Sequence, residues 1–337
     1  MAHSPITMAQ IAARAGVSVP TVSKVLNGRP GVSEATRAHI EELAAASGYE
    51  RRARHGLDTG LVDIVLPGLS TQWATDIIRG AQLEAAAAGV DLVVATTGGD
   101  AFAPTEWVQR VSARGTDGVV LVVSDLTDQS RDAITKLNVP VVLIDPVGTQ
   151  DHDFATVSAT DWAGGRDATT HLIGLGHRRI GFITGPLRLA SQQDRLDGYR
   201  AALRRVGIAE NPQLVREGNS LVSGGRTHGR ALLDLLDPPT AIICGSDEQA
   251  YGVYLVAREL GLSIPDDLSV VGFDDVDLCQ WVAPQLTTVR QPLVDMAREA
   301  TRMVIETARG RTLAHPRVEL ATSIVIREST AGPRQDI

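Results

Sequence analysis

From residue 61 onward, short runs of Val, Ile and Leu alternate with longer amphipathic stretches. The apolar runs predict seven buried strands, at 62–66, 91–95, 118–123, 139–144, 179–184, 241–244 and 269–273. The stretches between them predict helices, among them 75–88, 161–173, 195–206, 249–259 and 294–307. Continuous apolar strands joined by helices indicate parallel sheets covered on both faces. About 270 residues exceed one ordinary domain, so we expect two α/β lobes with a cleft between them.

Composition and termini exclude several classes of protein. No apolar run approaches the ~20 residues that a membrane helix needs, so we expect no membrane partner. The first residues lack the basic and apolar regions of a signal peptide, which favours a cytoplasmic protein. Cys244 and Cys279 are the only cysteines. Two are too few for a disulfide framework or a cysteine zinc site, and we expect no metal and no other cofactor.

The first fifty residues differ from the rest in charge and pattern. Residues 1–56 carry seven cationic and four anionic side chains, whereas the whole chain has a net charge of −8. A basic head on an acidic body indicates an anionic partner for the head, although so small an excess also arises by chance.

Capping residues predict three short helices within residues 7–49. Thr7 and Gln10 form a capping box, and Gly16 can end the first helix. Ser18 caps the second helix and Ser33 the third. Two short helices joined by a glycine-containing turn predict a helix-turn-helix. A small helical bundle with another role is the alternative reading of this pattern.

The outer face of the second helix suits contact with DNA. Its residues are Val19, Pro20, Thr21, Ser23 and Lys24. Hydroxyls and helix N-termini position a protein on phosphates, while apolar groups and Lys can read base edges.

The head contains three distinctive strings, IAARAGVS at 11–18, TVSKVLNG at 21–28 and VSEATR at 32–37. Together they resemble the head of one known family, the LacI/GalR repressors of bacteria. The resemblance implies that the recognition helix reads bases through Val19, Pro20 and Lys24. It also implies phosphate contacts, which map to Thr7, Ser18, Ser23 and Asn27.

The linker at residues 50–60 departs from the family pattern. The family's hinge helix inserts a Leu into the minor groove, and Leu57 is the candidate here. The segment is shorter than the family's, however, and Gly56 weakens a helix by about 1 kcal/mol. Arg51, Arg52 and Arg54 offer a second mechanism, contact with phosphates or a narrow minor groove. A solvated linker is the third reading.

The body resembles the same family throughout. The matching strings include HLI at 171–173, PDDLSVVGFDD at 265–275, LTTVRQP at 286–292 and IREST at 326–330. The resemblance implies the fold of periplasmic sugar-binding proteins, with two lobes, three crossovers and a central ligand.

Polar residues directly follow several predicted strands, where open parallel sheets bind ligands. They are Asp145, Ser246 with Asp247, and Asp274 with Asp275. Carboxylates and hydroxyls can bind sugar hydroxyls, and Arg adds a fork of donors. By family resemblance Arg195, Ser246, Asp247 and Asp274 are effector ligands, while Trp73 and Trp281 occupy loop positions where aromatics face the ligand. An aromatic residue that the family often places near Ser220 is absent.

Each candidate also has a structural reading. Asp247 could cap the helix that follows it, Asp274 could be a turn residue, and Asp145 could be a strand terminus. Trp73 could belong to a lobe core, and Trp281 to a dimer or domain interface.

The residues therefore predict a three-helix helix-turn-helix head joined to a two-lobed α/β core, in a non-enzymatic, sugar-responsive repressor. The boundaries are 1–49 for the DNA-binding head, 50–60 for the linker, 61–330 for the effector-binding and dimerising core, and 331–337 for a tail. A homodimer would match a pseudopalindromic operator in double-stranded DNA. A periplasmic sugar-binding protein and a carbohydrate-active enzyme are the alternatives. The missing signal peptide and the helix-turn-helix oppose the first, and the absence of catalytic motifs opposes the second.

Overall fold

A computed structural model describes residues 8–26, 32–46, 57, 59–97, 104–122, 128–145 and 154–334. The chain divides into two compact units, Met1–His55 and Gly56–Ile337. Among the helices that the structure describes, none is long and apolar enough to cross a membrane.

The first unit contains the three predicted helices. They are α1 (Met8–Ala15), α2 (Val19–Leu26) and α3 (Glu34–Ala46). Gly16 ends α1 with a φ of +66°, a conformation that costs glycine little. The Ser18 hydroxyl accepts a hydrogen bond from the Thr21 amide at 3.3 Å, and Ser33 accepts one from the Thr36 amide at the same distance. The helices enclose a small core of Ile11, Ala12, Val22, Val25, Ile40 and Ala44.

The second unit is built of strands alternating with helices. Its strands are β1 (Leu61–Leu66), β2 (Asp91–Thr96), β3 (Gly118–Val122), β4 (Val141–Ile144), β5 (Ala155–Ala159), β6 (Ile180–Thr184), β7 (Val215–Glu217), β8 (Ala241–Cys244), β9 (Ser269–Asp274), β10 (Thr287–Arg290), β11 (Arg317–Leu320) and β12 (Ser323–Val325). Its α-helices are α4 (Gln72–Ala88), α5 (Pro104–Arg114), α6 (Asp128–Thr135), α7 (Asp161–Gly174), α8 (Ala190–Arg205), α9 (Val222–Leu233), α10 (Asp247–Glu259), α11 (Leu278–Trp281) and α12 (Leu293–Ala308).

Two six-stranded sheets form two lobes. The first-lobe sheet has the order β11-β5-β4-β3-β1-β2 and is parallel throughout. The second-lobe sheet has the order β12-β10-β9-β8-β6-β7, with only β12 antiparallel among its pairings. The chain passes between the sheets after β5, after β10 and after β11. The predicted pair of parallel lobes with three crossovers is confirmed.

The sequence patterns predicted seven strands and missed five, of which β7, β11 and β12 lie at sheet edges. The predicted strands do not include β5, β7, β10, β11 or β12. β7 and β12 have only three residues, and β11 carries Arg317 and Glu319, so none shows a continuous apolar run. The predicted strand at 139–144 begins at Val141 instead, directly after Pro140.

Helices α7 and α8 approach each other through glycines. A Cβ at Gly165 would lie 2.1 Å from the Arg195 carbonyl oxygen, and one at Gly198 would lie 2.1 Å from the Trp162 carbonyl oxygen. Such separations are far inside van der Waals contact, so the two backbones can pack this closely only with glycine at both positions.

We therefore expect Gly165→Ala to destabilise the fold by about 2 kcal/mol, because overpacking a tight contact outweighs the gain in helix propensity. Gly174→Ala is the matched control, since Gly174 lies on the same helix and a Cβ added there would meet no atom within 4 Å. It should be neutral or stabilising by up to about 1 kcal/mol. Urea unfolding midpoints measure both, and equal midpoints would contradict the close contact.

Candidate functional site

A pocket lies between the two lobes, at the carboxyl ends of their strands. Its volume is about 180 Å³. The first lobe contributes Pro67, Thr71, Trp73, Val122 and Asp145, and the second contributes Leu189, Ser191, Gln192, Arg195, Ser220, Gly245, Ser246, Glu248, Asp274 and Val276. Val122 and Asp274 end their strands, while Asp145 and Gly245 directly follow theirs. A cavity thus lies where strand-end geometry predicts a ligand site.

Arg195 is the charged centre of the pocket. Its side chain is buried, and Nε donates to Asp161 Oδ1 at 2.7 Å. Nη1 donates to the Gly245 carbonyl oxygen at 2.6 Å and lies 3.7 Å from Asp274 Oδ1. The guanidinium also stacks 3.7 Å above the centroid of the Phe273 ring. Planar stacking and forked donation are contacts that Arg makes and Lys does not.

Three carboxylates from different elements face this single guanidinium. Asp161 begins α7, Asp145 follows β4 and Asp274 ends β9. Burial opposes ionisation of Arg195, but the charges of Asp161 and Asp274 outweigh it and raise the pKa of Arg195. Burial also raises the pKa of Asp161, and it raises the pKa of Asp274 well above the ordinary value. The site contains more buried carboxylates than the guanidinium can neutralise.

Asp145 combines a special backbone conformation with an unused acceptor. Its φ of +50° lies in the left-handed region, which Asp adopts more readily than most residues. Its Oδ1 is buried and has no hydrogen-bond partner in the structure. Burial first, and then the charge of Asp161, raise the pKa of Asp145 to about 7. A buried acceptor without a partner is costly, and a ligand donor would remove that cost.

Hydroxyls and a further carboxylate also line the pocket. Ser246 caps α10 by accepting from the Gln249 amide at 3.1 Å, and its hydroxyl donates to the Ser220 carbonyl oxygen at 2.9 Å. Glu248 accepts from the Gln72 amide of the first lobe at 3.3 Å. Gln72 in turn accepts through Oε1 from the Leu278 amide at 3.0 Å. The hydrogen bonds of Gln72 join the two lobes beside the pocket.

The structure gathers five of the seven predicted effector residues in one pocket: Trp73, Asp145, Arg195, Ser246 and Asp274. Asp247 lies outside the lining. Its Oδ1 accepts from the Thr288 hydroxyl at 2.5 Å and its Oδ2 from the Val276 amide at 3.0 Å, so it braces the loop behind the pocket. Trp281 is 69% exposed and lines a separate apolar groove with Tyr251, Tyr254 and Leu255.

Sequence reasoning missed Asp161, Gln192 and Glu248. Gln192 accepts from the Gly185 amide at 2.7 Å and donates to the Gly245 carbonyl oxygen at 3.3 Å. Glu248 immediately follows Asp247 in the predicted strand-end cluster, so its position was the available signal. Asp161 gave no such signal, because an Asp at the start of a helix is ordinary there.

The head residues can be placed only in part. Ser18 and Val19 are exposed at the start of α2, and Thr21 is half-buried. Pro20, Ser23 and Lys24 lie on α2, but their side chains are outside the described structure, as are Thr7, Asn27, Arg51, Arg52 and Arg54. Leu57 is half-buried and packs against the first-lobe core.

Comparison with known proteins agrees with both units. Residues 7–52 match the family model of bacterial regulatory proteins, lacI family, and residues 169–330 match a periplasmic binding protein-like domain. The chain is 32% identical to the HTH-type transcriptional repressor CytR of Escherichia coli (strain K12) over 330 residues, with 96% of both chains covered. It is 34% identical to the HTH-type transcriptional regulator MalR of Streptomyces coelicolor, again with 96% of both covered.

Solved structures show the same architecture. A complex of the transcriptional regulator CelR with cellobiose is 30% identical, with a TM-score of 0.75 over 96% of this chain and 99% of that one. A lac repressor dimer bound to operator and the anti-inducer ONPF is 27% identical, with a TM-score of 0.71 over 97% and 100%.

We expect Asp161→Ala to destabilise the second unit by about 3 kcal/mol, because it leaves the buried Arg195 without its closest carboxylate. Asp197→Ala is the control. Asp197 pairs with Arg200 at 3.2 Å on the same helix as Arg195, but 58% of its side chain is exposed. Removing that pair should cost less than about 1 kcal/mol. Thermal unfolding compares the two variants, and similar losses would show that the buried pair has no special role.

Proposed function

The chain belongs to the LacI family of bacterial regulatory proteins, and we propose that it is a repressor whose affinity for operator DNA is changed by a small carbohydrate in the pocket between its lobes. The observation that carries the proposal is the Arg195 site. Donors, acceptors and an indole from both lobes line one cavity there. Such a site can convert ligand binding into a change of lobe closure.

The head binds double-stranded DNA through α2. In this proposal Val19, Pro20 and Lys24 read bases, while Thr7, Ser18, Thr21, Ser23 and Asn27 contact the backbone. The exposure of Ser18 and Val19 supports this arrangement. The proposed location is the cytoplasm, where such DNA lies.

The linker contributes through its cations. Leu57 packs against the first-lobe core, and a side chain held there is not free to enter a minor groove as a wedge. This packing favours contact of Arg51, Arg52 and Arg54 with phosphates or a narrow minor groove.

The effector is bound by five residues. Arg195 donates to ligand oxygens, Asp145 and Asp274 accept from ligand hydroxyls, Ser246 adds a hydroxyl and Trp73 covers an apolar face of a sugar ring. The pocket composition supports a polyhydroxylated ligand, because side chains that donate and accept hydrogen bonds lie within a largely apolar wall.

The active form is a homodimer. A two-fold pair of heads matches a pseudopalindromic operator. The exposed Trp281 and the apolar groove around it are proposed as part of the contact with a second copy, since large exposed apolar patches mark interfaces.

The test uses the full chain and a duplex that it selects from a random pool. We expect one carbohydrate in a panel of mono- and disaccharides to change operator affinity by about 5–150-fold, the usual range of allosteric coupling. Asp274→Asn should bind the duplex as the unmodified protein does and lose the response, because the ligand loses a buried carboxyl acceptor. Fluorescence anisotropy of the labelled duplex measures both quantities.

Asp197→Asn is the control for that variant and should respond as the unmodified protein does, since Asp197 is an exposed residue away from the pocket lining. A full response in Asp274→Asn, or operator affinity that no carbohydrate changes, would contradict the proposal.

A further inference from the structure

The last residues of the linker are attached to the first lobe by one carboxylate. Asp117 Oδ1 accepts a hydrogen bond from the Thr59 amide at 3.1 Å, and Oδ2 accepts one from the Gly60 amide at 2.7 Å. Asp117 is buried, and hydrogen bonds to an ionised acceptor are about twice as strong as those between neutral groups. Leu57 adds an apolar contact, since it packs against the first-lobe core. We call Asp117 and the two amides the linker clamp.

The turn that carries Asp117 is itself bound to β1. Arg114, the last residue of α5, pairs with Asp63, which is fully buried on β1. The Thr116 hydroxyl donates to the Leu61 carbonyl oxygen at 3.1 Å, and the Asp117 amide donates to the same oxygen at 2.9 Å. Because β1 lies inside the sheet between β3 and β2, the linker clamp is attached to the interior of the lobe.

The linker clamp has no part in the proposed effector site. Asp117, Thr59 and Gly60 are not among the residues that line the pocket between the lobes. The linker is, however, the covalent connection between the core and the DNA-binding head. The point at which the linker leaves the core therefore limits how far each head can reach.

The length of chain that the clamp holds is large on the scale of DNA. If residues 57–60 were released from the lobe, the connection to each head would lengthen by up to about 13 Å, at about 3.3 Å for each extended residue. Successive base pairs of DNA are about 3.4 Å apart, so this length corresponds to about four base pairs. A fixed linker base thus restricts the separations at which two heads can both bind.

We infer that Asp117 is a positioning residue for operator binding, because it holds Thr59 and Gly60 and thereby restricts the half-site spacing that the dimer accepts. Two heads on short, fixed connections match one separation of half-sites, whereas longer and looser connections accept several. The inference rests on the proposed homodimer on a two-fold operator. It gives a residue of the core a part in selecting the operator.

Operator variants with altered spacing test the role of Asp117. The duplex that the full chain selects is compared with duplexes in which one or two base pairs are inserted or deleted between the half-sites. The unmodified protein should lose about tenfold or more in affinity, because only one head can then bind at a time. Asp117→Ala should lose less than about threefold, because its looser connections still let both heads bind. Fluorescence anisotropy of each labelled duplex measures these affinities.

The ratio of affinities separates positioning from a loss of stability. A destabilised fold lowers the affinity for every duplex by the same factor and leaves the ratio between spacings unchanged. Asp117→Asn keeps the size of the side chain but offers one acceptor oxygen to two amides, so it should reduce the spacing preference by a smaller factor. This variant decides the question if Asp117→Ala does not fold.

Asp267→Ala is the matched control. Asp267 is half-buried and accepts from the Ser263 amide at 2.8 Å, in a turn of the second lobe. Its removal breaks a similar hydrogen bond from a carboxylate to a backbone amide, away from the linker. The spacing preference of Asp267→Ala should therefore equal that of the unmodified protein.

The outcomes distinguish the role of Asp117 from the proposed function. An unchanged spacing preference in the Asp117 variants, or an unmodified protein that binds all spacings equally, would overturn the inference and leave the proposed repressor standing. An unmodified protein that binds one half-site as tightly as two would contradict the proposed homodimer, and the inference with it.

Discussion

The contact between Arg195 and its buried neighbours is the interaction on which the rest of the structure depends. It ties the start of α7, the end of β8 and the end of β9 to one guanidinium. The glycine contacts between α7 and α8 bring Arg195 within reach of Asp161. A buried ion pair adds little net stability compared with well-packed apolar residues, so its value here lies in directing charge towards a cavity.

The same site explains why two lobes are needed. Arg195 and Asp274 belong to the second lobe, whereas Asp145 and Trp73 belong to the first. A ligand that contacts all four would therefore bridge the lobes, as the hydrogen bonds of Gln72 do. Any difference in ligand affinity between open and closed lobes becomes a coupling free energy available to the rest of the chain.

Local patterns in the sequence predicted local structure, but they did not predict which side chains pair over long distances in sequence. The caps at Ser18 and Ser33 and the central strands follow from short-range rules, and the structure contains them. The polar residues that follow the predicted strands also indicated where the pocket lies. The direction of a side chain at a strand end depends on its neighbours, however. Asp247 accepts a hydrogen bond from Thr288, which is 41 residues away in sequence. Asp161 on α7 pairs with Arg195 on the neighbouring helix α8. The spacing of residues in a single sequence does not indicate partners that are this far apart.

Titration of the Asp145 carboxyl group tests most directly whether a single guanidinium serves three carboxylates in this pocket. Carbon-detected NMR of aspartate-labelled protein follows each carboxyl as pH changes, and Asp145→Asn assigns the signal. We expect Asp145 to titrate near pH 7, because burial and the charge of Asp161 raise its pKa to about 7. An Asp145 carboxyl that titrates near the ordinary aspartate pKa of about 4 would contradict it.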